Sequence, residues 1–218
     1  MKIAILGGTF NPIHIGHLSL AEDVCESLGY DKIIFVLANI PPHKKISKSV
    51  NVQHRIKMLE LAVKKNRKFD LDLCEIEREG ISYTIDTIRY LNEKYKNELD
   101  GKIGLIIGQE NASEFKKWKE AEHLAKLVDI IIARRQDVSS EQKEECKNKP
   151  LGEYTGGFEN SNYKKVCEEF EYDFVPMENI ILPISSTDIR TRIATKSGWR
   201  YLVPNEVFEY ILENRLYE

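Results

Sequence analysis

Short apolar segments rich in β-branched residues alternate along this chain with longer segments of helical periodicity. Several of the short segments are apolar on both faces, which is typical of strands buried inside a parallel sheet. Repeated alternation of strand and helix favours an α/β fold with a doubly wound parallel sheet. The predicted strands are residues 2–6, 33–38, 69–74, 103–107, 128–133 and 179–182.

Four segments place apolar residues three and four positions apart, the spacing of a helix that lies on a sheet. Three of them lie between the predicted strands, at residues 17–29, 51–65 and 84–95. The fourth, residues 203–217, predicts a terminal amphipathic helix with Pro204 in its first turn. A chain of 218 residues suffices for one buried core. We therefore expect a single domain, residues 1–218, in which residues 184–218 form a small C-terminal helical extension.

Composition and charge exclude several classes of protein. The net charge of −3 provides no global electrostatic reason to expect a nucleic-acid partner. The apolar start is too short for a signal peptide, and no run reaches the ~18 apolar residues of a membrane span. A cytoplasmic protein without a membrane partner is predicted. The chain has four widely spaced cysteines and no C-x-x-C pair: Cys25, Cys74, Cys146 and Cys167. They are predicted to be reduced thiols, and no metal ligand is assigned.

The segment "GGTFNPIHIGH" directly follows the first predicted strand and opens the first helix. Gly7 and Gly8 permit a tight turn and a close approach of the backbone to a ligand. His14 and His17 are three residues apart and share one face once the helix has begun, so both imidazoles can donate to the same oxyanion. The position and the residue types predict a phosphate-binding loop.

A second phosphate-binding element is predicted at "ISSTDIR", which follows the last strand. Ser185 or Ser186 can cap a helix whose first backbone N–H groups attract a phosphate, and Arg190 lies about one turn further along. Both elements stand at carboxyl ends of parallel strands, where open α/β sheets bind their ligands. Two such elements on one edge of the sheet predict a triphosphate between them.

Two further segments invite a functional interpretation. "HIGH" at residues 14–17 and "KISKS" at residues 45–49 resemble the paired signatures of class I aminoacyl-tRNA synthetases. In those enzymes the second signature comes near the end of the catalytic domain and further domains hold the tRNA, so residues 45–49 are interpreted as a flexible cationic loop that matches by chance. The polar stretch at residues 136–171 is predicted to be a solvated helix and loop, with a partner surface as the alternative.

The segments "GGTFNPIHIGHL", "ISSTDIRTRI" and "WRYLVPNEVFEYI" together resemble the bacterial nicotinate-nucleotide adenylyltransferases, along essentially the whole chain. These enzymes join ATP and nicotinate mononucleotide to give nicotinic acid adenine dinucleotide and pyrophosphate in NAD synthesis. The H-x-G-H motif alone is shared by a wider nucleotidyltransferase superfamily, so it indicates the chemistry more than the acceptor. The resemblance implies a Rossmann-like nucleotidyltransferase fold.

The resemblance also implies roles for individual residues. His14, His17 and Arg190 are expected to be catalytic, as electrostatic stabilisers of the phosphates. The ATP site would consist of Gly8, Thr9, Phe10, His14, His17, Ser185, Ser186, Thr187 and Arg190. The mononucleotide would be bound by Lys44, Tyr83, Thr84, Trp118 and Arg134, with the "SYT" segment at residues 82–84 donating to the nicotinate carboxylate and Trp118 stacking on the pyridine ring. Mg²⁺ would be bound mainly through the ATP phosphates.

Two positions depart from the family pattern. The family usually has Gly-x-Asp after the fourth strand, whereas this chain has Glu110 in place of the aspartate. The segment ending at Arg135 normally continues into Pro-Gly but here continues with Gln136 and Asp137. Two alternatives stay open at this point: an adenylyltransferase with another phosphate-ester acceptor, such as nicotinamide mononucleotide or phosphopantetheine, and a non-catalytic nucleotide-binding regulator. A homo-oligomer is compatible with the sequence.

Overall fold

Six parallel strands form one sheet in the order β3-β2-β1-β4-β5-β6. The computed structural model describes residues 1–39, 50–78, 80–134 and 161–218. The strands are β1 (Ile3–Gly8), β2 (Lys32–Leu37), β3 (Phe69–Asp72), β4 (Ile103–Gly108), β5 (Val128–Ala133) and β6 (Phe174–Met177). All neighbouring pairs are parallel. The predicted parallel sheet is confirmed.

Helices connect the strands and cover both faces of the sheet. They are α1 (Ile15–Leu28), α2 (Val52–Val63), α3 (Cys74–Glu77), α4 (Thr84–Lys94), α5 (Gln109–Ser113), α6 (Ala121–Leu127), α7 (Ser161–Glu169), α8 (Ser186–Ala194) and α9 (Asn205–Glu213). Two 3₁₀ turns occupy Phe115–Lys117 and Arg200–Leu202. None of the helices in the described ranges is long and apolar enough to cross a membrane.

Alternate residues of β1, β2, β4 and β5 enter two separate hydrophobic cores, as the pleat of a parallel sheet requires. In β1, for example, Ala4 and Leu6 belong to one core and Ile3 and Ile5 to the other. The first core is closed by α1, α2, α8 and α9, and the second by α4, α6 and the Phe115 turn. Helices on both faces are the arrangement that the doubly wound prediction specified.

The C-terminal helices pack on the first of these cores. Val207 and Ile211 of α9 are buried in it together with Met58 and Leu59 of α2. The imidazole of His54 on α2 lies 2.8 Å from the hydroxyl of Tyr210 on α9. The C-terminal extension therefore shares its hydrophobic contacts with the sheet domain.

The sixth strand was predicted in the wrong place. It runs from Phe174 to Met177 and pairs with β5, whereas residues 179–182 follow it outside the sheet. Pro176 lacks a backbone N–H, but β6 is the edge of the sheet and an edge tolerates this loss. The Asn179 amide instead bonds both backbone groups of Arg134, at 2.8 and 3.2 Å.

Several element boundaries also differ from the predicted ones, and two of these differences have a clear local reason. β3 stops at Asp72 and not at residue 74, because the Asp72 carboxylate accepts the backbone N–H of Cys74 at 2.8 Å and turns the chain into α3. Pro204 occupies the N-cap position of α9, one residue before the predicted first turn. Within residues 136–171 the structure describes α7 and the two residues after it; the remainder lies outside the described residues.

Candidate active site

The strand order reverses direction between β1 and β4, which are neighbours in the middle of the sheet. The chain leaves β1 towards β2 on one side and leaves β4 towards β5 on the other. In open α/β sheets the crevice outside the carboxyl ends of two such strands is the usual ligand site. Gly8 and Gly108 end the two strands here.

Residues 7–14, which we call the first loop, comprise the end of β1 and the connection to α1. Phe10 has a φ of 41°, an uncommon left-handed conformation for a residue with a side chain. Its buried ring packs edge-on against His17, with the ring centroids 5.1 Å apart. A Cβ on Gly8 would lie 3.0 Å from the Phe10 ring, so a side chain there would require the ring to shift by a few tenths of an ångström. The ring of Phe10 thus supports the histidines from inside the protein.

The two histidines stand together at the start of α1. His14 is the N-cap residue, and its backbone N–H donates to Nδ1 of His17 at 3.3 Å. The two imidazole rings are stacked, with centroids 3.7 Å apart. A Cβ on Gly16 would lie 3.1 Å from Nδ1 of His14, so the glycine of the motif leaves space for this ring. The predicted shared face of His14 and His17 is confirmed.

Three side chains from two remote helices hold the backbone of the first loop. Arg55 of α2 donates to the carbonyl of Thr9 at 3.1 Å and to that of Ala38 at 2.9 Å. Arg190 of α8 donates to the carbonyl of Asn11 at 2.6 Å. The Ser186 hydroxyl donates to the carbonyl of Pro12 at 2.8 Å. Three carbonyls of the loop are therefore fixed before any ligand binds.

The second predicted element begins α8 beside this loop. Ser185 is its N-cap, and the hydroxyl oxygen accepts the backbone N–H of Asp188 at 3.0 Å. The Thr187 hydroxyl accepts a second bond from Arg190, at 3.1 Å. Since the first backbone N–H groups of a helix lack intrahelical partners, the starts of α1 and α8 both present donors near the first loop. The structure brings together the two elements that the sequence separates by about 170 residues.

The electrostatic character of this region is cationic. Across the described part of the chain, neither Arg55 nor Arg190 forms an ion pair with a carboxylate. Arg55 is 3% exposed, and its burial lowers the pKa of the guanidinium. Arginine nevertheless stays charged, so an uncompensated positive charge lies under the loop. Such a charge favours an anionic ligand at the loop.

A cavity of about 750 Å³ opens beside the first loop, at the carboxyl ends of β1, β2 and β4. Its volume is within the range of small-molecule sites. Gly8 and Thr9 from the predicted ATP site and Tyr83, Thr84 and Trp118 from the predicted mononucleotide site line it. Asn111, Glu114, Lys117 and Lys119 add polar groups.

One side of this cavity, which we call the pocket wall, consists of residues 82–84 and Trp118. Tyr83 is the N-cap of α4 and Thr84 its first residue, so the free N–H groups of the helix start at the wall. The hydroxyl of Ser82 accepts the backbone N–H of Asn39 at 3.2 Å. Trp118 packs against Phe115 at 5.2 Å between ring centroids and is partly exposed. An aromatic face and backbone donors thus share one surface.

The Lys119 ammonium group lies 4.7 Å from the centroid of the Tyr83 ring, at the edge of the pocket wall. It also pairs with Asp86 of α4 at 3.0 Å. The interaction with the ring and the ion pair place a cation close to the Tyr83–Thr84 backbone donors.

Several of the predicted site residues in the described part of the chain do not line this cavity: Phe10, His14, His17, Ser185, Ser186, Thr187, Arg190 and Arg134. Arg134 follows β5, two strands away from β1; its guanidinium lies over the ring of Tyr163 at 5.9 Å. Glu110 is exposed in α5, and the neighbouring Asn111 lines the cavity instead. Lys44, like residues 45–49, lies outside the described residues. The roles predicted for all of the site residues, inside and outside this cavity, stay predictions.

Two residues at the site escaped sequence reasoning. Arg55 had a detectable signal: it lies three and four residues before Met58 and Leu59, on the buried stripe of α2, where a charged residue is unexpected. Tyr217 had no detectable signal in the sequence, because it follows the end of α9. Its hydroxyl donates to Oδ1 of Asn11 at 2.6 Å.

The donor set of the site suits phosphate oxygens better than a bare metal ion. In the described ranges, His, Cys, Asp and Glu side chains form no group of three that could hold a metal. The groups around the first loop are imidazoles, guanidinium groups, hydroxyls and backbone N–H groups. Mg²⁺ commonly keeps several waters and binds through substrate phosphates, and this mode of binding fits these residues.

Comparison with known families agrees with this geometry. The cytidylyltransferase-like family matches residues 5–192 of the chain. A probable nicotinate-nucleotide adenylyltransferase of Treponema pallidum (strain Nichols) is 36% identical over 217 residues, covering 100% of this chain and 99% of the relative. A protein of the same description from Borreliella afzelii is 41% identical, with 100% and 97% covered, and one from Lactococcus lactis is 34% identical, with 100% and 95% covered.

Solved structures share the fold. The Plasmodium falciparum nicotinic acid mononucleotide adenylyltransferase, complexed with NaAD, superposes with a TM-score of 0.67 at 18% identity, covering 99% of this chain and 97% of that one. A putative nicotinate-nucleotide adenylyltransferase of Vibrio parahaemolyticus has a TM-score of 0.62 at 20% identity, with 100% and 96% covered. At these identities the likeness establishes the architecture.

Proposed function

This chain belongs to the nicotinate-nucleotide adenylyltransferases, within the cytidylyltransferase-like family, and we propose that it transfers the adenylyl group of ATP to nicotinate mononucleotide. The products are nicotinic acid adenine dinucleotide and pyrophosphate, as in NAD synthesis. The observation that carries the proposal is the meeting of the stacked His14 and His17 with Arg190 at one loop, directly beside the cavity.

The two substrates would lie on the two sides of this site. The triphosphate binds between the starts of α1 and α8, where backbone donors, imidazoles and the Arg190 guanidinium converge. The mononucleotide occupies the cavity, with its pyridine ring on Trp118 and its carboxylate at the donors of Tyr83 and Thr84. The cavity begins at Gly8 and Thr9, so the acceptor phosphate reaches the first loop.

The reaction requires placement and charge stabilisation more than proton transfer. A phosphate monoester has its second pKa near ~6, so the attacking oxygen is already largely ionised at neutral pH. That oxygen attacks the α-phosphorus in line, the bond from the α-phosphorus to the bridging oxygen breaks, and pyrophosphate leaves. His14, His17 and Arg190 then act as fixed donors to the charge that develops on these oxygens.

Arg190 suits this task because its orientation is already set. Two of its bonds go to the Asn11 carbonyl and the Thr187 hydroxyl. A guanidinium group has five N–H donors, so others remain for phosphate oxygens. Mg²⁺, bound mainly through the ATP phosphates, would supply further neutralisation of charge.

Pyrophosphate release with ATP and magnesium tests the proposal directly. Nicotinate mononucleotide, nicotinamide mononucleotide and phosphopantetheine are compared as acceptors at equal concentrations. We expect the highest kcat/KM with nicotinate mononucleotide. A preference for another acceptor would reassign the substrate, and no release with any of them would support a regulator that only binds nucleotide.

The remaining features of the proposal concern the whole chain. We propose that residues 1–218 act as one domain in the cytoplasm, without a nucleic-acid partner, and that this domain can self-associate. The shared core of α2 and α9 supports the single domain. Sedimentation of the purified chain with and without ATP would measure its oligomeric state.

A further inference from the structure

The C-terminal residues return to the first loop after α9 has ended. Leu216 is buried in the same core as α9, and the next residue, Tyr217, reaches Asn11. Its hydroxyl donates to Oδ1 of Asn11 at 2.6 Å, across 206 residues of sequence. The last turn of the chain therefore ends on the loop that carries His14.

Asn11 receives two remote donors at once. Its backbone carbonyl accepts Arg190 at 2.6 Å while its side chain accepts Tyr217. Asn11 is 4% exposed and directly follows Phe10, whose backbone is left-handed. A shift of Asn11 as a whole would move the backbone carbonyl that orients Arg190, and with it one of the donors proposed for the phosphates.

The geometry of the C-terminus suits a fixed contact. Arg215 and Tyr217 both have positive φ values, 49° and 70°, which are uncommon outside glycine and here turn the chain back towards the loop. Burial raises the pKa of the Tyr217 hydroxyl well above its ordinary range, although the nearby charges of Arg190 and Arg55 act against this rise. The hydroxyl therefore remains a proton donor to Asn11 throughout the neutral range.

We propose that Tyr217 is a positioning residue for adenylyl transfer: its hydroxyl fixes Asn11, and Asn11 fixes the first loop and the orientation of Arg190. The inference rests on the proposed function, because the effect is expected on that reaction. It extends the site to the penultimate residue of the chain. Tyr217 acts through Asn11 and is assigned no contact with substrate.

The test compares two conservative variants of the C-terminal segment. Tyr217→Phe removes the hydroxyl that bonds Asn11, and Tyr210→Phe removes the hydroxyl that lies 2.8 Å from His54 of α2. Each variant loses one hydrogen bond to the N-terminal half of the chain, so similar small decreases of melting temperature are expected. For Tyr217→Phe we expect kcat to fall about tenfold with KM for ATP nearly unchanged, because sub-ångström misplacement of donors slows the chemical step.

A double-mutant cycle separates action through Asn11 from a general effect. Asn11→Ala removes the acceptor, so adding Tyr217→Phe to it should lower kcat no further. Equal kcat values for Tyr217→Phe and Tyr210→Phe would overturn the inference. A melting temperature of Tyr217→Phe far below that of Tyr210→Phe would also overturn it, because Tyr217 would then be a structural residue. Additive losses of kcat in the double-mutant cycle would overturn it as well, because Tyr217 would then not act through Asn11. If the unmodified protein releases no pyrophosphate, the proposed function fails and this inference with it; an active protein with unaffected Tyr217→Phe overturns the inference alone.

Discussion

The first loop and the pocket wall are built in different ways. The loop is held by long-range hydrogen bonds from side chains to its carbonyls, at 2.6 to 3.1 Å, from α2 and α8. The pocket wall depends on aromatic packing of Trp118 on Phe115, on an exposed ion pair of Lys119 and on one bond to Ser82. The loop is mostly buried, whereas Trp118 and Lys119 are accessible to solvent.

This difference corresponds to two tasks. Donors that stabilise developing charge are effective when they are already oriented, since no reorganisation is then needed during the reaction. A surface that only binds a ring and a carboxylate contributes similarly to the ground state and the transition state. Changes at the loop should therefore lower kcat, and changes at the pocket wall should raise KM for the acceptor.

The largest effect is expected from His17→Ala. Loss of one fixed donor in comparable sites lowers kcat by about 10²–10³-fold, or ~2.7–4 kcal/mol of barrier. KM for ATP should change much less, because the N–H groups of α1 and α8, Arg190 and Mg²⁺ still hold the triphosphate. Steady-state pyrophosphate release at varied ATP concentrations measures both constants.

His123→Ala is the matched control for this change. His123 is an exposed histidine of α6 that pairs with Glu120 at 3.4 Å and does not line the cavity. It should retain the unmodified kcat. Equal, mild effects of His17→Ala on kcat and on ATP binding would show that the loop binds ATP without acting on the transition state, and the contrast between the two regions would disappear.

The parts of the fold that follow from periodicity were predictable. β5 was predicted with its observed bounds, and α4 within one residue of them, because burial on both faces or on one stripe leaves a regular pattern. β6 was misplaced since an edge strand needs fewer apolar residues and tolerates Pro176. Short polar caps, such as Asp72 at the end of β3, leave only a weak pattern in the sequence, so the end of that strand was misplaced as well.

The site was predictable to the extent that it consists of contiguous motifs. The pair of His14 and His17 and the Ser185 cap lie within segments whose local spacing already implies their geometry. The bonds from Arg190 and Tyr217 to Asn11 join residues 179 and 206 positions apart, and no local pattern specifies such a contact. What escaped prediction was therefore the tertiary support of the loop.

A medium effect is expected at the pocket wall from Trp118→Ala. Stacking of a base on an aromatic side chain contributes ~1–3 kcal/mol by alanine substitution, so KM for nicotinate mononucleotide should rise by about tenfold or more. Because this loss is shared by ground and transition states, kcat should stay within about twofold. Trp118→Phe keeps an aromatic face and should restore most of the affinity. A fall of kcat without a rise in KM would place Trp118 with the loop instead.

The smallest effect is expected from Lys119→Gln, and it concerns selectivity. The ammonium group lies over Tyr83, close to the donors proposed for the nicotinate carboxylate, and its removal leaves the charge of Asp86 there. Exposed ion pairs contribute ~0.2–1 kcal/mol, so the ratio of kcat/KM for nicotinate over nicotinamide mononucleotide should fall by about threefold.

Lys116→Gln is the matched control. It removes an equal charge from a nearby lysine that pairs with Glu171 and does not line the cavity. If both variants lower the ratio equally, only the overall charge of the surface matters; if only Lys119→Gln does, the pocket wall selects its substrate by charge as well as by shape.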